Sequence, residues 1–346
     1  MNDSPSNRQK RILVTDYAWD SLDVEKKILE KVNASLVVAT TGDENELVSL
    51  AADVDGILTC WKPVTERVIN NSPNCQVISR YGIGLDNIDV AFSTKTGIVV
   101  TNVPSYCVDE VSDHAMALLL ALGRKVAFYD RAIKSGTYNL RSETPLYRLR
   151  GKTLGIVGFG AIGQALYQKA RGFGLKVIAY DRRLAGNPTS QHDVSSVTFA
   201  ELLRTSDYIS IHVPLTATTR HLFNRDTFSQ MKPSAFLINT ARGDIIDSEA
   251  LLEALDSKLI LGAALDVLST EPPAANDALV LHPRTVITPH AAFNSQESLE
   301  DLRQIASIQI AEVLSGRVPS HIVNRDVLKR PNLRARFELP LNEREG

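Results

Sequence analysis

Three residues in the second half of this 346-residue chain have the types needed to move a proton and hold an acid. They are Arg242, Glu271 and His290, and each follows a short apolar run that predicts a buried strand. An imidazole transfers protons near neutral pH, while a nearby carboxylate favours its protonated form and fixes its tautomer. A guanidinium binds a carboxylate and polarises an adjacent carbonyl. Together the three types suit hydride transfer between a cofactor and a hydroxy acid.

The order of these residues along the chain supports that interpretation. They come after successive strands, and ligands of open α/β sheets bind outside the carboxyl ends of the strands. Taken singly, Arg242 could form a surface salt bridge, His290 could be a core or capping histidine, and Glu271 could be solvated. Their arrangement after three successive strands favours a shared catalytic crevice.

A glycine-rich stretch indicates the cofactor. Gly158, Gly160 and Gly163 have the spacing G-x-G-x-x-G between the apolar run 152–157 and a helical pattern of apolar residues. The first glycine permits a tight turn, the second lets a pyrophosphate approach, and the third lets the helix pack on the strand. Asp181 ends the next apolar run, about 20 residues further on, which is typical of a dinucleotide-binding unit.

Asp181 predicts NAD rather than NADP. A carboxylate at this position accepts hydrogen bonds from the ribose hydroxyls and repels a 2′-phosphate. Arg182 and Arg183 follow directly, and their charges could partly reverse this preference or could simply flank the adenine.

Strand-like and helical stretches alternate along the chain, which predicts parallel sheets with helices on both faces. Five apolar runs precede residue 103 without a glycine-rich turn, and six follow residue 150. The predicted fold class is α/β, with two Rossmann-like, doubly wound parallel-sheet domains. Long helices are expected over 108–134 and 295–314.

The domain boundaries follow from this order of elements. The helix over 295–314 is expected to return to the first unit, so the substrate domain would comprise residues 1–103 and 295–330. The NAD-binding domain would cover 104–294. Residues 331–346 are rich in arginine, proline and glutamate and are expected to form a C-terminal tail.

Composition argues against several other function classes. A net charge of −2 gives no general attraction to nucleic acid or to an anionic membrane. The three cysteines lack C-x-x-C spacing, so neither a disulfide framework nor a metal site is expected. The polar N-terminus is not typical of a secretory signal, and no apolar stretch is long enough to span a bilayer. We therefore expect a cytoplasmic protein.

The chain resembles the NAD-dependent D-2-hydroxyacid dehydrogenases over nearly all of its length. Motifs similar to those of the family occur, in the family's order, at residues 80–89, 102–104, 157–163, 212–216, 239–243, 266–272 and 288–290. The resemblance implies a flavodoxin-like, discontinuous substrate domain, an NAD-binding Rossmann domain, and a substrate site between them. It also implies a homodimer formed through the NAD-binding domain.

The resemblance assigns roles to the residues named first. Arg242 would bind the carboxylate and carbonyl of the substrate, His290 would donate the proton in reduction, and Glu271 would be its partner. Related formate dehydrogenases have a glutamine in place of Glu271, so a glutamate implies a carbonyl that must be protonated. Contacts with NAD are implied for Gly158, Gly160, Ala161, Ile162, Gly163, Asp181, His212, Val213, Pro214, Thr219, Thr240, Ala241 and Asp266.

Substrate contacts are implied in the first half of the chain and after His290. The backbone amides of Gly82, Ile83 and Gly84 would bind the substrate carboxylate. The side chain of the substrate would touch Trp61, Tyr81 and Phe293, which suits a small or medium-sized 2-oxo or 2-hydroxy acid.

Several functions stay open within the family. Residues 102–113 and 290–295 are most similar to the C-terminal-binding-protein branch, whose animal members are NAD(H)-bound corepressors with a tryptophan in place of Phe293. Thr59 replaces the arginine expected in phosphoglycerate dehydrogenases, although Lys62 could substitute for it. The favoured function is NAD-dependent interconversion of a 2-oxo acid and a D-2-hydroxy acid. The alternatives are an NADH-sensing corepressor-like protein and a 3-phosphoglycerate dehydrogenase.

Overall fold

The computed structural model describes residues 8–138, 145–183 and 194–338, which form two compact units. The first unit contains residues 8–106 and 295–338 of the described chain, and the second contains the described residues between 107 and 294. Each unit is a parallel sheet with helices, so the predicted fold class is confirmed. None of the helices in these ranges has both the length and the apolar character needed to cross a membrane.

The first unit has a five-stranded sheet in the order β2-β1-β3-β4-β5, with every neighbouring pair parallel. This is the flavodoxin-like order. The strands are β1 (Lys10–Val14), β2 (Ala34–Val38), β3 (Gly56–Thr59), β4 (Val77–Arg80) and β5 (Val99–Thr101). The helices are α1 (Asp23–Leu29), α2 (Glu44–Ala51), α3 (Glu66–Asn70), α4 (Val90–Lys95) and, after the chain returns, α12 (Gln296–Leu314).

The second unit has seven parallel strands in the order β12-β11-β10-β9-β6-β7-β8. They are β6 (Thr153–Val157), β7 (Lys176–Tyr180), β8 (Ser195–Ser196), β9 (Tyr208–Ile211), β10 (Phe236–Asn239), β11 (Gly262–Leu265) and β12 (Thr285–Ile287). A dinucleotide-binding sheet has six strands in this kind of order, here β8-β7-β6-β9-β10-β11. The strand order reverses between β6 and β9. The sequence predicts six strands and misses β8, because its two exposed serines have no apolar pattern.

The helices of the second unit include one correction to the sequence prediction. They are α5 (Val108–Arg124), α6 (Val126–Lys134), α7 (Ala161–Gly172), α8 (Phe199–Thr205), α9 (Arg225–Ser229), α10 (Ser248–Asp256) and α11 (Ala278–Leu281). The single helix expected over 108–134 is wrong, because Lys125 adopts a left-handed conformation with φ of 57° and ends α5. Such a residue breaks the helical hydrogen-bond pattern.

Both sheets are covered on both faces, which explains why the central strands are buried and mostly apolar. All residues of β3, β4, β9, β10 and β11 are buried. Parallel strands covered by helices on each side read as continuous apolar runs. In the first unit, Leu302, Ala306 and Ile310 of α12 share a core with Ile12 and Val14 of β1.

The unit boundaries differ slightly from those read from the sequence. The first unit ends after Tyr106 rather than residue 103, because Val103 and Tyr106 pack into its core. Residues 331–338 are not a separate tail: Ala335 is buried in that core, and the Arg334 guanidinium donates to the carbonyls of Ser72 and Thr96. Residues 339–346 lie outside the described ranges.

Candidate active site

The turn between β6 and α7 is packed too closely for side chains at two of its glycines. Gly158 has φ of 95°, and a Cβ there would lie 2.5 Å from the carbonyl oxygen of His212. A Cβ on Gly163 would overlap the carbonyl oxygen of Gly158. The turn therefore lies against the end of β9, at the point where the strand order reverses.

The N-terminus of α7 is open. Gly160 is its N-cap residue, and no side chain caps the helix. A Cβ on Gly160 would contact only Arg183 Nη2, at 3.7 Å. The first amides of a helix are unpaired and carry a partial positive charge, so those of Ala161 and Ile162 suit a pyrophosphate. This uncapped, open turn fits the phosphates of NAD.

Asp181 follows β7 and lies beside this turn. It accepts hydrogen bonds from the backbone amide of Phe159 at 2.9 Å and from Arg183 Nε and Nη2 at 3.1 and 2.9 Å. Those bonds, chiefly the ones from the Arg183 side chain, lower the pKa of Asp181 to about 2. The residue is therefore an anion as NAD recognition requires, and Arg183, which is largely exposed, neutralises it.

The segment after β9 forms one wall beside the glycine turn. His212 pairs with Ser210 Oγ at 2.8 Å, and burial lowers its pKa to about 4, so its imidazole is neutral. Thr219 Oγ1 donates to the carbonyl of Pro214 at 2.7 Å and closes the loop that follows. Val213 contacts the turn at Gly158. The implied cofactor residues of this segment thus lie together, and Thr219 holds the loop through its side chain.

Arg242 lies in a tight turn after β10. Asn239 is fully buried, donates to the carbonyl of Arg242 at 2.8 Å and accepts from the amide of Ala241 at 3.0 Å. Thr240 Oγ1 is buried and has no hydrogen-bond partner among the described residues. A Cβ on Gly243 would overlap the backbone of Leu268. The turn that carries Arg242 is therefore in direct contact with the loop that carries Glu271.

His290 and Glu271 form a hydrogen-bonded pair. His290 Nδ1 lies 2.7 Å from Glu271 Oε2, and the other carboxylate oxygen accepts from the amide of Leu268 at 2.8 Å. Burial alone raises the pKa of Glu271, but the bonds from His290 and Leu268 more than offset this and lower it below its ordinary value. The side chains are 27% and 34% exposed, so the pair faces solvent and is accessible to a small molecule.

Asp266 organises the backbone around His290. Its carboxylate is fully buried and accepts from Thr288 Oγ1 at 2.5 Å and from the amides of Ala291 and Ala292 at 2.9 Å. Burial opposes ionisation, yet hydrogen bonds from His114, from Thr288 and from the two amides together lower the pKa of Asp266 to about 2. The carboxylate thus faces the loop, and the implied contact of Asp266 with NAD stays a prediction.

His114 makes contacts that the sequence does not reveal. Its neighbour on α5, Asp113, pairs with Lys169 at 2.8 Å. His114 Nε2 instead lies 2.9 Å from Thr288 Oγ1 and 3.4 Å from Asp266 Oδ1. The contact joins residues 174 positions apart, so no sequence pattern indicates it. The only signal in the sequence is a histidine within an apolar helix.

In the first unit, the loop Gly82–Gly84 is held through its carbonyls. Val103 donates its amide to the carbonyl of Gly82 at 3.0 Å, and Asn102 Nδ2 donates to that of Ile83 at 2.9 Å. Among the described residues, the amides of Ile83 and Gly84 have no acceptor. This arrangement suits the implied binding of a carboxylate by these amides.

The aromatic residues expected at the substrate divide into two groups. Trp61 is 40% exposed, and the ring of Phe293 lies edge-on to His290 with 6.3 Å between centroids. Tyr81 is only 1% exposed, packs against Trp19, and bonds to Glu25 at 3.3 Å. The expected substrate contact of the Tyr81 side chain is therefore wrong, because the ring is part of the core.

A clamp of side chains missed in the sequence fixes the loop that carries Trp61. Asp16 accepts from the amides of Cys60, Trp61 and Lys62 at 3.0, 2.8 and 3.2 Å. Asn87 Nδ2 donates to the carbonyl of Lys62 at 3.1 Å. Trp61 is thus an exposed aromatic residue on a rigid backbone.

Comparisons with known proteins agree with this geometry. Residues 116–292 match the family model described as "D-isomer specific 2-hydroxyacid dehydrogenase, NAD binding domain". A glyoxylate reductase from Thermococcus litoralis is 40% identical over 290 residues, which cover 82% of this chain and 87% of that protein.

A D-3-phosphoglycerate dehydrogenase from Methanocaldococcus jannaschii is 37% identical over 91% of this chain, which spans 59% of that longer protein. The crystal structure of a D-lactate dehydrogenase from Aquifex aeolicus, complexed with NAD and lactic acid, is similar with a TM-score of 0.81 and 27% identity. That similarity covers 91% of this chain and 99% of the other.

Proposed function

The chain belongs to the D-isomer specific 2-hydroxyacid dehydrogenases, which are NAD-dependent oxidoreductases, and we propose how its residues carry out the reaction. When bound, NADH would supply a hydride to the carbonyl carbon of a 2-oxo acid. His290 donates a proton to the carbonyl oxygen, which yields the D-2-hydroxy acid. The observation that carries this proposal is the 2.7 Å pair between His290 and Glu271.

The pairing determines which nitrogen of His290 reacts. Because Nδ1 is bonded to Glu271, the proton must leave from Nε2. The carboxylate fixes this tautomer and stabilises the imidazolium that must be present before the proton is given up. Glu271 is itself held by the amide of Leu268, so the imidazole is positioned through two successive hydrogen bonds.

Arg242 is proposed to bind the carboxylate of the substrate and polarise its carbonyl. A guanidinium can contact a carboxylate with two parallel hydrogen bonds, which fixes the orientation of the carbonyl. The contact between Gly243 and Leu268 supports this role, because it joins the loops of Arg242 and Glu271. The amides of Ile83 and Gly84 are proposed as further donors to the carboxylate.

The residues that would hold NAD follow from the glycine turn. The amides of Ala161 and Ile162 would bind the pyrophosphate, and Asp181 would accept hydrogen bonds from the adenosine ribose. Val213, Pro214, Thr240 and Ala241 would line the nicotinamide side. The unpaired hydroxyl of Thr240 supports this assignment, since a buried polar group without a partner is costly.

The preferred substrate is proposed to be a small 2-oxo acid such as glyoxylate, the substrate named for the relative from Thermococcus litoralis. Trp61 and Phe293 would limit the size of the substrate side chain. The test measures NADH and NADPH oxidation by the full chain with glyoxylate, pyruvate, hydroxypyruvate and 3-phosphohydroxypyruvate. The proposal predicts turnover of at least one unphosphorylated acid with NADH, and D-lactate rather than L-lactate from pyruvate.

Two results would contradict the proposal. Turnover of only the phosphorylated acid would indicate a phosphoglycerate dehydrogenase. Tight NADH binding without turnover of any acid would favour an NADH-sensing binding protein.

A second copy of the chain is proposed to bind through the second unit. Helix α6 buries none of its nine residues, yet Val126 and Ile133 are apolar and 59% and 52% exposed. Tyr138, Leu146 and Tyr147 nearby in the chain are exposed as well. Exposed apolar residues on one helix are typical of an interface.

A further inference from the structure

We propose that His114 is a positioning residue for His290, acting through Thr288 and Asp266; this rests on the proposed function of His290. His114 is on α5, far from the proposed reacting atoms in sequence. Nothing in the fingerprint or in the catalytic trio assigns it a role. The inference follows from the hydrogen-bond directions around Thr288.

The backbone at His290 needs support. Its φ is 53°, a left-handed conformation that residues with a side chain rarely adopt. Such conformations persist where surrounding contacts over-determine them, and they cluster at functional sites. The amide of His290 donates to the carbonyl oxygen of Asp266 at 2.7 Å, so Asp266 holds this residue through its main chain as well as its side chain.

The carboxylate of Asp266 supports both sides of His290. On one side it accepts from Thr288 Oγ1, and on the other it accepts from the amides of Ala291 and Ala292. All three donors belong to the segment 288–292. One buried anion therefore holds the chain on both sides of the proposed proton donor.

The direction of the bond from His114 follows by elimination. An ionised carboxylate only accepts, so the single hydroxyl proton of Thr288 is given to Asp266. Thr288 Oγ1 must then accept from His114 Nε2, 2.9 Å away. His114 consequently carries a proton on Nε2, and this N–H also lies 3.4 Å from Asp266 Oδ1.

Removal of this donor would weaken the support of the loop. The Thr288 hydroxyl would keep Asp266 as its acceptor but lose the donor on its other side, and the buried anion would lose a nearby positive dipole. The loop would then hold the imidazole less well, while the glycine turn and Asp181 would be unaffected. A small displacement of a reacting group lowers turnover more than it lowers cofactor affinity.

The test compares variants of the full chain in NADH oxidation with its best 2-oxo acid. We expect His114→Leu to lower kcat by about 100-fold while the Kd for NADH, measured by fluorescence, is unchanged. His114→Gln restores an N–H donor and should recover most of kcat. Asp113→Asn, the neighbour on the same helix, is the matched control and should behave like the wild type.

A second variant tests the same contact if His114→Leu fails to fold. Thr288→Val removes the intermediate hydroxyl and should give the same loss of kcat, with no further loss in the double variant. The proposal is overturned if His114→Leu or Thr288→Val keeps wild-type kcat, or if His114→Gln is as impaired as His114→Leu. A change in NADH affinity alone would assign His114 to cofactor binding and also overturn it.

A readout without turnover separates this inference from the proposed function. The Cε1 proton resonance of His290, assigned with His290→Gln, is recorded in NADH-free protein. We expect it to shift in His114→Leu and to return toward the wild-type position in His114→Gln. An unchanged resonance would contradict the positioning role even if the enzyme is active, and a shifted resonance in a protein that reduces no acid would refute only the proposed function.

Discussion

Among the described residues, Glu271 and Asp266 are the carboxylates that bond to His290 or its loop, and they act on different parts of it. Glu271 bonds to the imidazole ring, whereas Asp266 bonds to the backbone on both sides. Both have pKa values below the ordinary range, so both are anionic near neutral pH. Only Glu271 is placed to influence the protonation of the proposed donor directly.

The Glu271→Gln variant tests that influence. The neutral amide keeps the shape of the side chain but no longer favours the imidazolium form, which reduction requires. We expect the alkaline limb of the kcat/KM profile for reduction to move down by about one pH unit. The acidic limb should change little. In the wild type the pKa of Glu271 is lowered, so Glu271 stays ionised across that limb and does not determine it.

The control for this measurement is Glu249→Gln, an exposed acid on α10 in the same unit. Its pH profile should match that of the wild type. An unmoved alkaline limb in Glu271→Gln would remove the proposed electrostatic role of this carboxylate.

Cofactor choice also depends on single residues. In Asp181→Ala, the repulsion of a 2′-phosphate disappears and the guanidinium of Arg183 loses its partner. We expect the ratio of kcat/KM for NADPH to that for NADH to rise by about tenfold, which corresponds to roughly 1.4 kcal/mol. The ratio is obtained from initial rates with each cofactor.

The double variant Asp181→Ala with Arg183→Ala identifies the source of that gain. It should lose most of the improvement with NADPH, since the released cation is absent. If the wild type already preferred NADPH, the assignment of Asp181 would be wrong. If the double variant kept the gain, Arg183 would have no part in it.

At the scale of elements, the loop after β3 is fixed by Asp16 so that Trp61 is exposed at a defined position. Asp16→Asn leaves one accepting oxygen and places an NH2 group toward backbone donors. We expect KM for pyruvate to rise more than KM for glyoxylate, because glyoxylate has no side chain to meet Trp61. Asp20→Asn, an exposed neighbour, is the control.

Steady-state kinetics of the two acids decides this point. Equal increases in both KM values would indicate a general loss of structure, which the thermal unfolding midpoint would register. No increase in either would show that the loop does not contribute to substrate discrimination.

The elements themselves are largely predictable from the sequence, and the reasons are local. Buried parallel strands are continuous apolar runs, and the turn of Gly158 and Gly163 is required by contacts that exclude any side chain. The break at Lys125 is not predictable, because helical residues continue on both sides of it. A single left-handed residue leaves no mark on the apolar periodicity.

The candidate site is predictable in part. The positions of Glu271 and His290 after successive strands correctly place them near each other. The contacts of His114 with Thr288, and of Asp16 with the loop of Trp61, depend on packing between distant segments. For Tyr81 the sequence suggests a contact that the structure lacks. Its place next to the substrate motif predicts that its ring touches the substrate, but the ring is packed in the core.

At the scale of the whole molecule, the exposed face of α6 is the feature that a single chain leaves unexplained. If a second copy covers it, the molar mass measured by light scattering should be twice 38.0 kDa. Val126→Glu with Ile133→Glu should give the monomer mass, because two buried charges would be left without partners. The control is Leu281→Glu, an equivalent change at an exposed residue of α11.

A monomer mass for the wild type would contradict the proposed homodimer. A dimer that survives both glutamates would place the interface elsewhere on the chain. Neither result would affect the assignment of the catalytic residues, since His290, Glu271 and Arg242 belong to one unit.

The central claim is that His290 is the proton donor in NADH-dependent reduction of a 2-oxo acid. The most direct measurement compares kcat for NADH oxidation by the wild type and His290→Gln with the best acid of the panel, together with the Kd for NADH. We predict that kcat falls by about 10²- to 10⁴-fold in His290→Gln while the Kd for NADH stays at the wild-type value. Near-normal turnover by His290→Gln would contradict the account.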